Sequence, residues 1–290
     1  MKKILITGAN GQLGQELQQL AANFAAYDFV FLDKNSLNIA DNAQIVAVFN
    51  QLRPDFCINA AAYTAVDKAE NEPEKAYLSN AQAVQNIATQ CAENQCVFIH
   101  ISTDYVYHNG QNFPLLPSHE TSPKGVYASS KLAGERLALA AWAKTLIVRT
   151  SWVYSFFGNN FIKTMLKLGL ERPELNVVSD QIGSPTSAHD LALALLEMIQ
   201  VVDNQPDFNN FGIYQYSNEG LCSWYDLAAA IFEIADIDCK VNPIFTAQYP
   251  TPAQRPFYSV MDKTAIKTVF DIKIPHWRSS LRACLSRLGY

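Results

Sequence analysis

The feature that most constrains the fold is a glycine-rich turn near the start of the chain. Gly8, Gly11 and Gly14 lie between the apolar run Lys3–Thr7 and the segment Gln12–Ala22, whose leucines recur at helical spacing. Glycines so spaced permit a tight strand-to-helix turn, close approach of the backbone to a pyrophosphate, and close packing of the helix on the strand. The turn therefore predicts a Rossmann-type dinucleotide site with the helix N-terminus facing the phosphates.

Strand-like and helical segments alternate through the first half of the chain. Strand-like runs occur at Phe29–Leu32, Phe56–Asn59, Val97–Ser102, Leu146–Thr150 and Asn176–Val178, with helical periodicity at Ile45–Leu52, Ala76–Ala92 and Leu132–Ala143. Such alternation predicts an α/β protein with a Rossmann-type, doubly wound parallel sheet.

Prolines interrupt this pattern after residue 150, although helical stretches persist at Phe161–Leu170, Leu191–Ile199 and Trp224–Ile234. We therefore expect an NAD(P)-binding domain over residues 1–150. Residues 151–290 are expected to form mainly a smaller, mixed α/β substrate-binding lobe, from which some segments return to the first domain.

Composition excludes several other classes of protein. The net charge is −5 with no basic face, so we expect no nucleic-acid partner. The apolar stretch at the start is too short for a signal peptide, and no apolar run reaches membrane-spanning length. The six cysteines include no CxxC and the five histidines no HxxxH, so no metal cage is expected. A reducing, cytoplasmic location follows as the default expectation.

The end of the second strand bears on cofactor choice. Asp33 is placed to accept hydrogen bonds from the adenosine ribose hydroxyls, which favours NAD. The adjacent Lys34 is a cation that could accommodate a 2′-phosphate, and both residues could instead simply solvate a strand end. We expect either cofactor, NADPH or NADH, to bind, with NAD slightly favoured.

A phenol, an ammonium and a hydroxyl form the candidate catalytic group. Tyr127 and Lys131 are four residues apart, hence on one face of a helix. Lowering a phenol pKa from about 10 by roughly 3 units needs about 4 kcal/mol, much of which a buried lysine can supply. Thr103 ends the fourth strand, at the edge where doubly wound sheets bind ligands. An exposed helix pair is the alternative, since the chain has 13 tyrosines.

Together these segments resemble the dTDP-4-dehydrorhamnose reductases, a family within the extended short-chain dehydrogenase/reductases. The resemblance covers nearly the whole chain and is carried by Gly8–Gly14, Asn59–Glu70, Ser102–Tyr107, Tyr127–Lys131, Arg149–Tyr154, Gly158–Phe161 and Pro250–Pro256. It implies reduction of the C4 ketone of dTDP-4-dehydro-L-rhamnose to dTDP-L-rhamnose by NADH or NADPH. That reaction is the last step in making this precursor of surface polysaccharides.

The resemblance also implies roles for individual residues. Tyr127 would donate the proton, Lys131 would bind the nicotinamide ribose and lower the tyrosine pKa, and Thr103 would hydrogen-bond the developing oxyanion. Cofactor contacts would come from Gly8, Gly11, Gln12, Leu13, Gly14, Asp33, Asn38, Ile39, Ala62, Tyr63, Thr64, Tyr127 and Lys131. The sugar nucleotide would meet Thr103, Asp104, Trp152 and Arg255. Trp152 could instead be a core aromatic residue, and Arg255 a surface ion-pair partner.

The family pattern is not complete. Some members use a divalent cation held by acidic residues that help to join two subunits, but here His189 stands where a Glu would be expected, although Glu16 is present. The tail 285–290 also lacks a carboxylate side chain, so we expect no structural metal. A homodimer is left open.

Two alternatives to reduction can be weighed. A sugar-nucleotide dehydratase needs a carboxylate base after Asp104, where this chain has Tyr105, and an epimerase also needs an additional acid/base. A non-catalytic protein resembling the regulatory subunit of methionine adenosyltransferase has no chemical reason to keep Thr103, Tyr127 and Lys131 together. The sequence therefore favours an enzyme.

Overall fold

The computed structural model describes residues 1–108 and 110–290. Its strands are β1 (Lys2–Thr7), β2 (Tyr27–Leu32), β3 (Phe56–Asn59), β4 (Val97–Thr103), β5 (Thr145–Thr150), β6 (Val153–Tyr154), β7 (Glu174–Val178), β8 (Ile182–Gly183), β9 (Thr186–Ser187), β10 (Gly212–Tyr216), β11 (Cys222–Ser223) and β12 (Lys240–Ile244). Its helices are α1 (Gln12–Leu20), α2 (Asn42–Leu52), α3 (Val66–Ala69), α4 (Pro73–Tyr77), α5 (Ala83–Glu93), α6 (Gly125–Ala141), α7 (Phe161–Glu171), α8 (Ala188–Asn204), α9 (Trp224–Ala235), α10 (Thr264–Phe270) and α11 (Trp277–Arg287).

The central sheet has six strands in the order β10-β5-β4-β3-β1-β2, and every neighbouring pair is parallel. This is the doubly wound α/β fold that the alternation of segments predicts, so that prediction is confirmed. Because β2 and β3 lie on opposite sides of β1, the loops that follow β1 and β3 diverge at the carboxyl edge of the sheet. Such a switch point is where sheets of this type bind ligands.

Both faces of the sheet are buried, as a parallel sheet requires. Side chains alternate along β1: Ile4 and Ile6 pack on one face with α1 and α8, while Leu5 packs on the other with α2 and α5. All three side chains have no exposed surface. This double burial explains why the strands read as continuous apolar runs in the sequence.

A second cluster of apolar residues forms a smaller lobe around α7, α9 and α11, where β7 pairs with β12. The strand-like run Asn176–Val178 therefore belongs to this separate two-stranded sheet. The sixth strand of the central sheet is β10, which pairs with β5 and which the apolar pattern missed because this edge strand has no continuous apolar run. The domain boundary near residue 150 stays a prediction.

The starts of the helices fall into two groups. Asp41, Asn160, Ser187 and Ser223 each accept backbone N–H bonds and so cap α2, α7, α8 and α9. Helix α1 belongs to the helices without a side-chain cap, because Gly11 stands at its N-cap and offers no acceptor. The first amides of α1 are therefore open to an external anion.

Helix α6 packs unusually close to the segment before it. The sequence predicts one helix over Ala76–Ala92, whereas the structure has α4 and α5 joined by a π-helical turn at Leu78–Gln82. A Cβ atom built on Gly134 would lie only 2.0 Å from the carbonyl oxygen of Asn80 in that turn. Because Gly134 has no side chain, α6 can pack this closely against the π-helical turn.

We expect Gly134→Ala to lower the free energy of unfolding by about 2 kcal/mol, because the added methyl group must push α6 away from Asn80. Urea unfolding measures the change. Ala140→Ser adds one heavy atom on the exposed side of the same helix and is the matched control. Equal stability of the two variants would contradict the close packing described here.

Candidate active site

A cavity of about 1060 Å³ opens at the carboxyl edge of the central sheet. Its walls come from the turns after β1 to β4, from α6, and from the second lobe through Trp152, Asn159 and Trp224. Most of the residues predicted from the sequence line it together: Gly8, Gly11, Gln12, Leu13, Asn38, Ile39, Ala62, Tyr63, Thr64, Thr103, Asp104, Tyr127, Lys131 and Trp152. Gly14, Asp33 and Arg255 are placed outside this lining.

The glycine turn forms one wall by close backbone contact. Gly8 has a φ of +72°, and a Cβ atom there would lie 2.7 Å from the backbone nitrogen of Ala61, in the loop after β3. A Cβ atom on Gly14 would lie 2.4 Å from the carbonyl oxygen of Gly8, so α1 can start where it does only with glycine at this position. These contacts leave the uncapped end of α1 facing the cavity, an arrangement that fits a pyrophosphate.

Asp33 and Lys34 have different surroundings. The carboxylate of Asp33 accepts hydrogen bonds from Asn10 Nδ2 at 2.9 Å and from the backbone nitrogens of Asn35 and Ser36 at 3.1 and 2.9 Å. The hydrogen bonds from Ser36 are the main reason that the pKa of Asp33 lies below its usual value. Lys34 lines the cavity. A cation therefore stands at the end of the cavity where the adenosine ribose is expected.

The candidate catalytic residues do come together. Thr103 ends β4, while Tyr127 and Lys131 lie in the first turns of α6. Burial raises the pKa of Tyr127 to about 12, against an opposing hydrogen bond with Thr103 and with a further increase from the charge of Asp104. We expected Lys131 to lower this pKa, but here burial outweighs other effects, and Nζ of Lys131 is engaged with the carbonyl oxygen of Ile101 at 2.7 Å.

Asp104 lies at the cavity wall and has one buried carboxylate oxygen without a partner in the part of the chain that the structure describes. Its side chain is 2% exposed, and burial raises its pKa to about 6. Oδ1 accepts a hydrogen bond from Thr103 Oγ1 at 3.1 Å, whereas Oδ2 has no partner among the described residues. A buried polar atom without a partner is costly, so a ligand hydroxyl donating to Oδ2 would be stabilised.

Trp152 is packed against residues of the second lobe. One face stacks on Trp224 with the ring centroids 3.6 Å apart. Gly183 also packs closely against the ring, since a Cβ atom there would lie 2.7 Å from Cε2 of Trp152. Trp152 also has a φ of +48°, an uncommon value for a bulky residue. The second lobe thus supplies a rigid aromatic wall rather than a free stacking surface.

Arg255 joins the two lobes through a bidentate ion pair with Asp67. Its Nη1 and Nη2 atoms lie 2.7 and 2.6 Å from Oδ1 and Oδ2 of Asp67, which also accepts from the backbone nitrogen of Ala253. The Arg255 hydrogen bond holds the pKa of Asp67 below its usual value. Arg255 is therefore an ion-pair partner in this structure, as the alternative prediction from the sequence had it.

Two buried residues near the site were missed by sequence reasoning. Asn80, in the π-helical turn, accepts from the backbone nitrogen of Tyr63 at 2.8 Å and donates to the Tyr63 carbonyl and to Ser130 Oγ. It thus joins a cavity loop to α6. His100, on β4, lies 3.2 Å from Nζ of Lys131. Neither residue belongs to a spacing pattern, since only the tertiary fold brings these partners together.

Glu16 is neutralised by groups of the protein itself. It is 1% exposed and accepts hydrogen bonds from Ser155 Oγ at 2.6 Å and from Arg287 Nη1 at 2.9 Å, with His189 Nδ1 at 3.3 Å. Burial alone raises the pKa of Glu16, but the hydrogen bonds outweigh it and hold the pKa below its usual value. Within residues 1–108 and 110–290, no group of three or more His, Cys, Asp or Glu is arranged to hold a metal ion.

We expect Arg287→Met to lower the free energy of unfolding by about 2 kcal/mol at pH 7, because it leaves the Glu16 carboxylate buried without its strongest cation. The native pKa of Glu16 is lowered, so its contribution to stability is full above the ordinary value of 4.5 and is lost as the pH falls through the native value.

Urea unfolding at pH 7 and at pH 4 measures the free energy of unfolding of Arg287→Met and of the unmodified protein. We expect the difference between the two proteins to be smaller at pH 4. Arg282→Met changes an exposed arginine on the same helix and should have little effect at either pH. A deficit for Arg287→Met that grows in acid would contradict the proposed pairing with Glu16.

The fold and the site together define a class: a doubly wound α/β protein with an anion-binding glycine turn and a Thr-Tyr-Lys group, as in dinucleotide-dependent reductases. The family model described as "RmlD substrate binding domain" matches residues 1–289. The chain belongs to this family. None of the helices in the part of the chain that the structure describes could cross a membrane.

Similar proteins agree over the whole length. A dTDP-4-dehydrorhamnose reductase of Escherichia coli is 42% identical, covering 98% of this chain and 97% of that protein. The spore coat polysaccharide biosynthesis protein SpsK of Bacillus subtilis is 41% identical, with the same coverage of 98% and 97%. The crystal structure of a dTDP-4-dehydrorhamnose reductase from Bacillus anthracis in complex with NADP has 38% identity and a TM-score of 0.93, over 99% of each chain.

Proposed function

We propose that this protein is an NAD(P)H-dependent reductase that converts the C4 ketone of dTDP-4-dehydro-L-rhamnose into the hydroxyl group of dTDP-L-rhamnose. The observation that carries the proposal is the convergence of Thr103, Tyr127 and Lys131 on the wall of a single cavity that also contains the glycine turn. The names of the full-length relatives supply the substrate. The fold alone would be compatible with many substrates.

The proton donor in this proposal is Tyr127. With a pKa of about 12, its phenol is protonated at neutral pH and can give a proton to the carbonyl oxygen of the substrate. Thr103 can donate to the same oxygen as negative charge develops on it, provided that its hydroxyl turns from Asp104 Oδ1, to which it donates in this structure. A bound nicotinamide cofactor supplies the hydride that reaches C4.

Lys131 and the glycine turn hold the cofactor. Nζ of Lys131 is held by the carbonyl oxygen of Ile101, and Lys131 lines the cavity, so a ribose hydroxyl bound there could accept from Nζ. The uncapped amides of α1 and the backbone of Gly11 would bind the pyrophosphate. Asn38 and Ile39 line the cavity where the adenine would lie, and Ala62, Tyr63 and Thr64 would contact the cofactor from the loop after β3.

The second lobe and the end of β4 bind the sugar nucleotide. Oδ2 of Asp104, which has no partner among the described residues, would accept from a sugar hydroxyl, and the ring of Trp152 in the cavity wall would limit the position of the sugar. Arg255 binds the diphosphate only if its guanidinium turns from Asp67, so this contact requires exchange of one anionic partner for another. Elimination would need a carboxylate after Asp104, and Tyr105 stands there instead.

The direct test incubates the purified protein with dTDP-4-dehydro-L-rhamnose and follows oxidation of NADH and NADPH separately. We expect dTDP-L-rhamnose to form in amounts equal to the cofactor consumed. No consumption of either cofactor would refute the proposed function. Oxidation without formation of a 4-hydroxy product would refute the assignment of the substrate.

Tyr127→Phe removes the proton donor alone. We expect kcat to fall about 10²- to 10⁴-fold while cofactor affinity changes little, because no group that holds the cofactor elsewhere in the cavity is altered. Tyr290→Phe, at the end of the chain, is the control. Initial rates and cofactor fluorescence titrations measure both parameters. A Tyr127→Phe variant that keeps most of its activity would mean that another group donates the proton.

Lys34→Ala tests whether the Lys34 side chain determines the preference between NADPH and NADH. Loss of a charge-assisted contact with a 2′-phosphate should raise KM for NADPH about tenfold, since such contacts contribute roughly 1.5–3 kcal/mol, with little change for NADH. Lys144→Ala, an exposed lysine distant in the sequence, is the control. An equal rise in KM for both cofactors would contradict a role in recognising the phosphate.

The cytoplasmic location and the homodimer stay predictions of the same proposal. Cell fractionation tests the first, and light scattering after size-exclusion chromatography tests the second. A monomer by light scattering would leave the proposed chemistry unchanged, because the residues assigned to the site all come from this chain.

A further inference from the structure

A chain of hydrogen bonds runs through the core behind the cavity, across three neighbouring strands. Thr7 Oγ1, at the end of β1, donates to Oδ1 of Asn59 on β3 at 2.6 Å. Nδ2 of Asn59 lies 3.0 Å from Nδ1 of His100 on β4, and Nε2 of His100 lies 3.2 Å from Nζ of Lys131. All four side chains are at most 2% exposed. The reaction proposed above uses only Lys131 among them.

The geometry around Lys131 gives His100 a specific task. Nζ donates to the carbonyl oxygen of Ile101 at 2.7 Å and meets Nε2 of His100 at 3.2 Å. An ammonium group has three N–H bonds, so these two partners leave one direction. Lys131 lines the cavity, so a ligand bound there can accept the third N–H. Without His100, only the carbonyl of Ile101 would hold the group, and Nζ could rotate.

The proton positions along this chain depend on the charge of Lys131. As arranged, Asn59 donates through Nδ2 to Nδ1 of His100, so a neutral imidazole carries its proton on Nε2 and Lys131 accepts it as a free amine. A charged Lys131 must instead donate to Nε2. The imidazole proton is then on Nδ1, and a half-turn of the Asn59 amide presents Oδ1 to His100 and Nδ2 to Thr7.

Resting on the proposed function, we infer that His100 is a positioning residue for Lys131, and that the Thr7–Asn59–His100 chain takes two hydrogen-bonded arrangements, one for each charge state of Lys131. In both arrangements each of the three contacts, Thr7–Asn59, Asn59–His100 and His100–Lys131, pairs one donor with one acceptor, so neither charge state sets two donors or two acceptors against each other. His100 serves both because its ring exchanges donor and acceptor positions without becoming charged.

The electrostatics of the site favour a neutral imidazole. Burial holds the pKa of His100 well below its usual value, and the charge of Lys131 lowers it further, so the ring does not add a second cation. Burial also lowers the pKa of Lys131 to about 8, with the charge of Glu135 opposing. Both charge states of Lys131 are thus accessible near neutral pH.

Other charged groups face this cluster from the elements around it. Tyr127 and Glu135 lie on α6 one turn to either side of Lys131, and Asp104 follows β4. Glu135 is itself neutralised by Arg149, whose Nη2 lies 2.6 Å from Oε2. His100 is therefore the partner of Lys131 whose hydrogen-bonding role changes with the charge of the lysine.

His100→Leu and His100→Gln separate positioning from packing. Leucine fills most of the ring volume but offers Lys131 no acceptor, so the ammonium is disfavoured and the alkaline limb of the kcat–pH profile should move down by about one unit. We expect kcat at pH 7 to fall about tenfold, about twofold from the loss of charged Lys131 and the rest because Nζ is then held by the Ile101 carbonyl alone, with KM for the sugar nucleotide changed less than about twofold. The amide of glutamine can donate or accept and should restore much of kcat. His276→Gln, an exposed histidine, is the control.

Nitrogen NMR of the unmodified protein, labelled with ¹⁵N-histidine and saturated with NADPH, reports the tautomer directly. We expect the His100 proton to move from Nδ1 to Nε2 as the pH rises, with the same midpoint as the alkaline limb of kcat. This measurement needs no variant and stands even if His100→Leu fails to fold.

Either of two results would overturn the inference: a His100 tautomer that is constant from pH 6 to pH 10, or a His100→Leu variant with an unchanged pH profile. Failure of the proposed function is a separate outcome. An unmodified protein that does not reduce the sugar nucleotide would refute the function, while the tautomer titration would still decide the role of His100.

Discussion

A buried ion pair between Glu135 and Arg149 holds helix α6 on the sheet, and the candidate site depends on it. The two side chains are 1% and 2% exposed, and the guanidinium donates to both carboxylate oxygens, from Nε at 2.9 Å and from Nη2 at 2.6 Å. Removing one partner of such a pair costs several kcal/mol, because the other charge stays buried. The pair lies one turn beyond Lys131, so it fixes the part of α6 that carries the ammonium and the phenol.

Close backbone contact and buried polar pairing act together around the cavity. Gly134 lets α6 approach the π-helical turn, and Asn80 in that turn fixes both the loop after β3 and Ser130 of α6. Gly8 lets the glycine turn approach the loop after β3, and Gly14 lets α1 start directly against Gly8. The cavity walls are therefore positioned by contacts that tolerate little movement, which is what a reaction needing a fixed hydride-acceptor geometry requires.

The sequence pattern anticipated the parts of the fold that have a local cause. Strands buried on both faces read as apolar runs, and the glycine turn has its own spacing, so β1 to β5 and the start of α1 were located within a few residues. The edge strand β10 was missed and the run at Asn176–Val178 was grouped with the wrong sheet, because pairing between distant segments leaves no periodic signal. The same limit applies to Asn80 and His100, whose partners lie far away in the chain.

The sequence by itself determined the chemistry available to this protein: a phosphate-binding turn, and a hydroxyl, a phenol and an ammonium at positions that a doubly wound sheet brings to one edge. Only the tertiary structure decided how those groups are tuned. In the folded protein Arg255 forms an ion pair with Asp67, and the carboxylate of Asp33 accepts a hydrogen bond from the backbone nitrogen of Ser36. His100 lies within hydrogen-bond distance of Lys131. The physical reason is that residue type and spacing are properties of the chain. Burial and the choice of hydrogen-bond partner are set only when distant segments pack against each other.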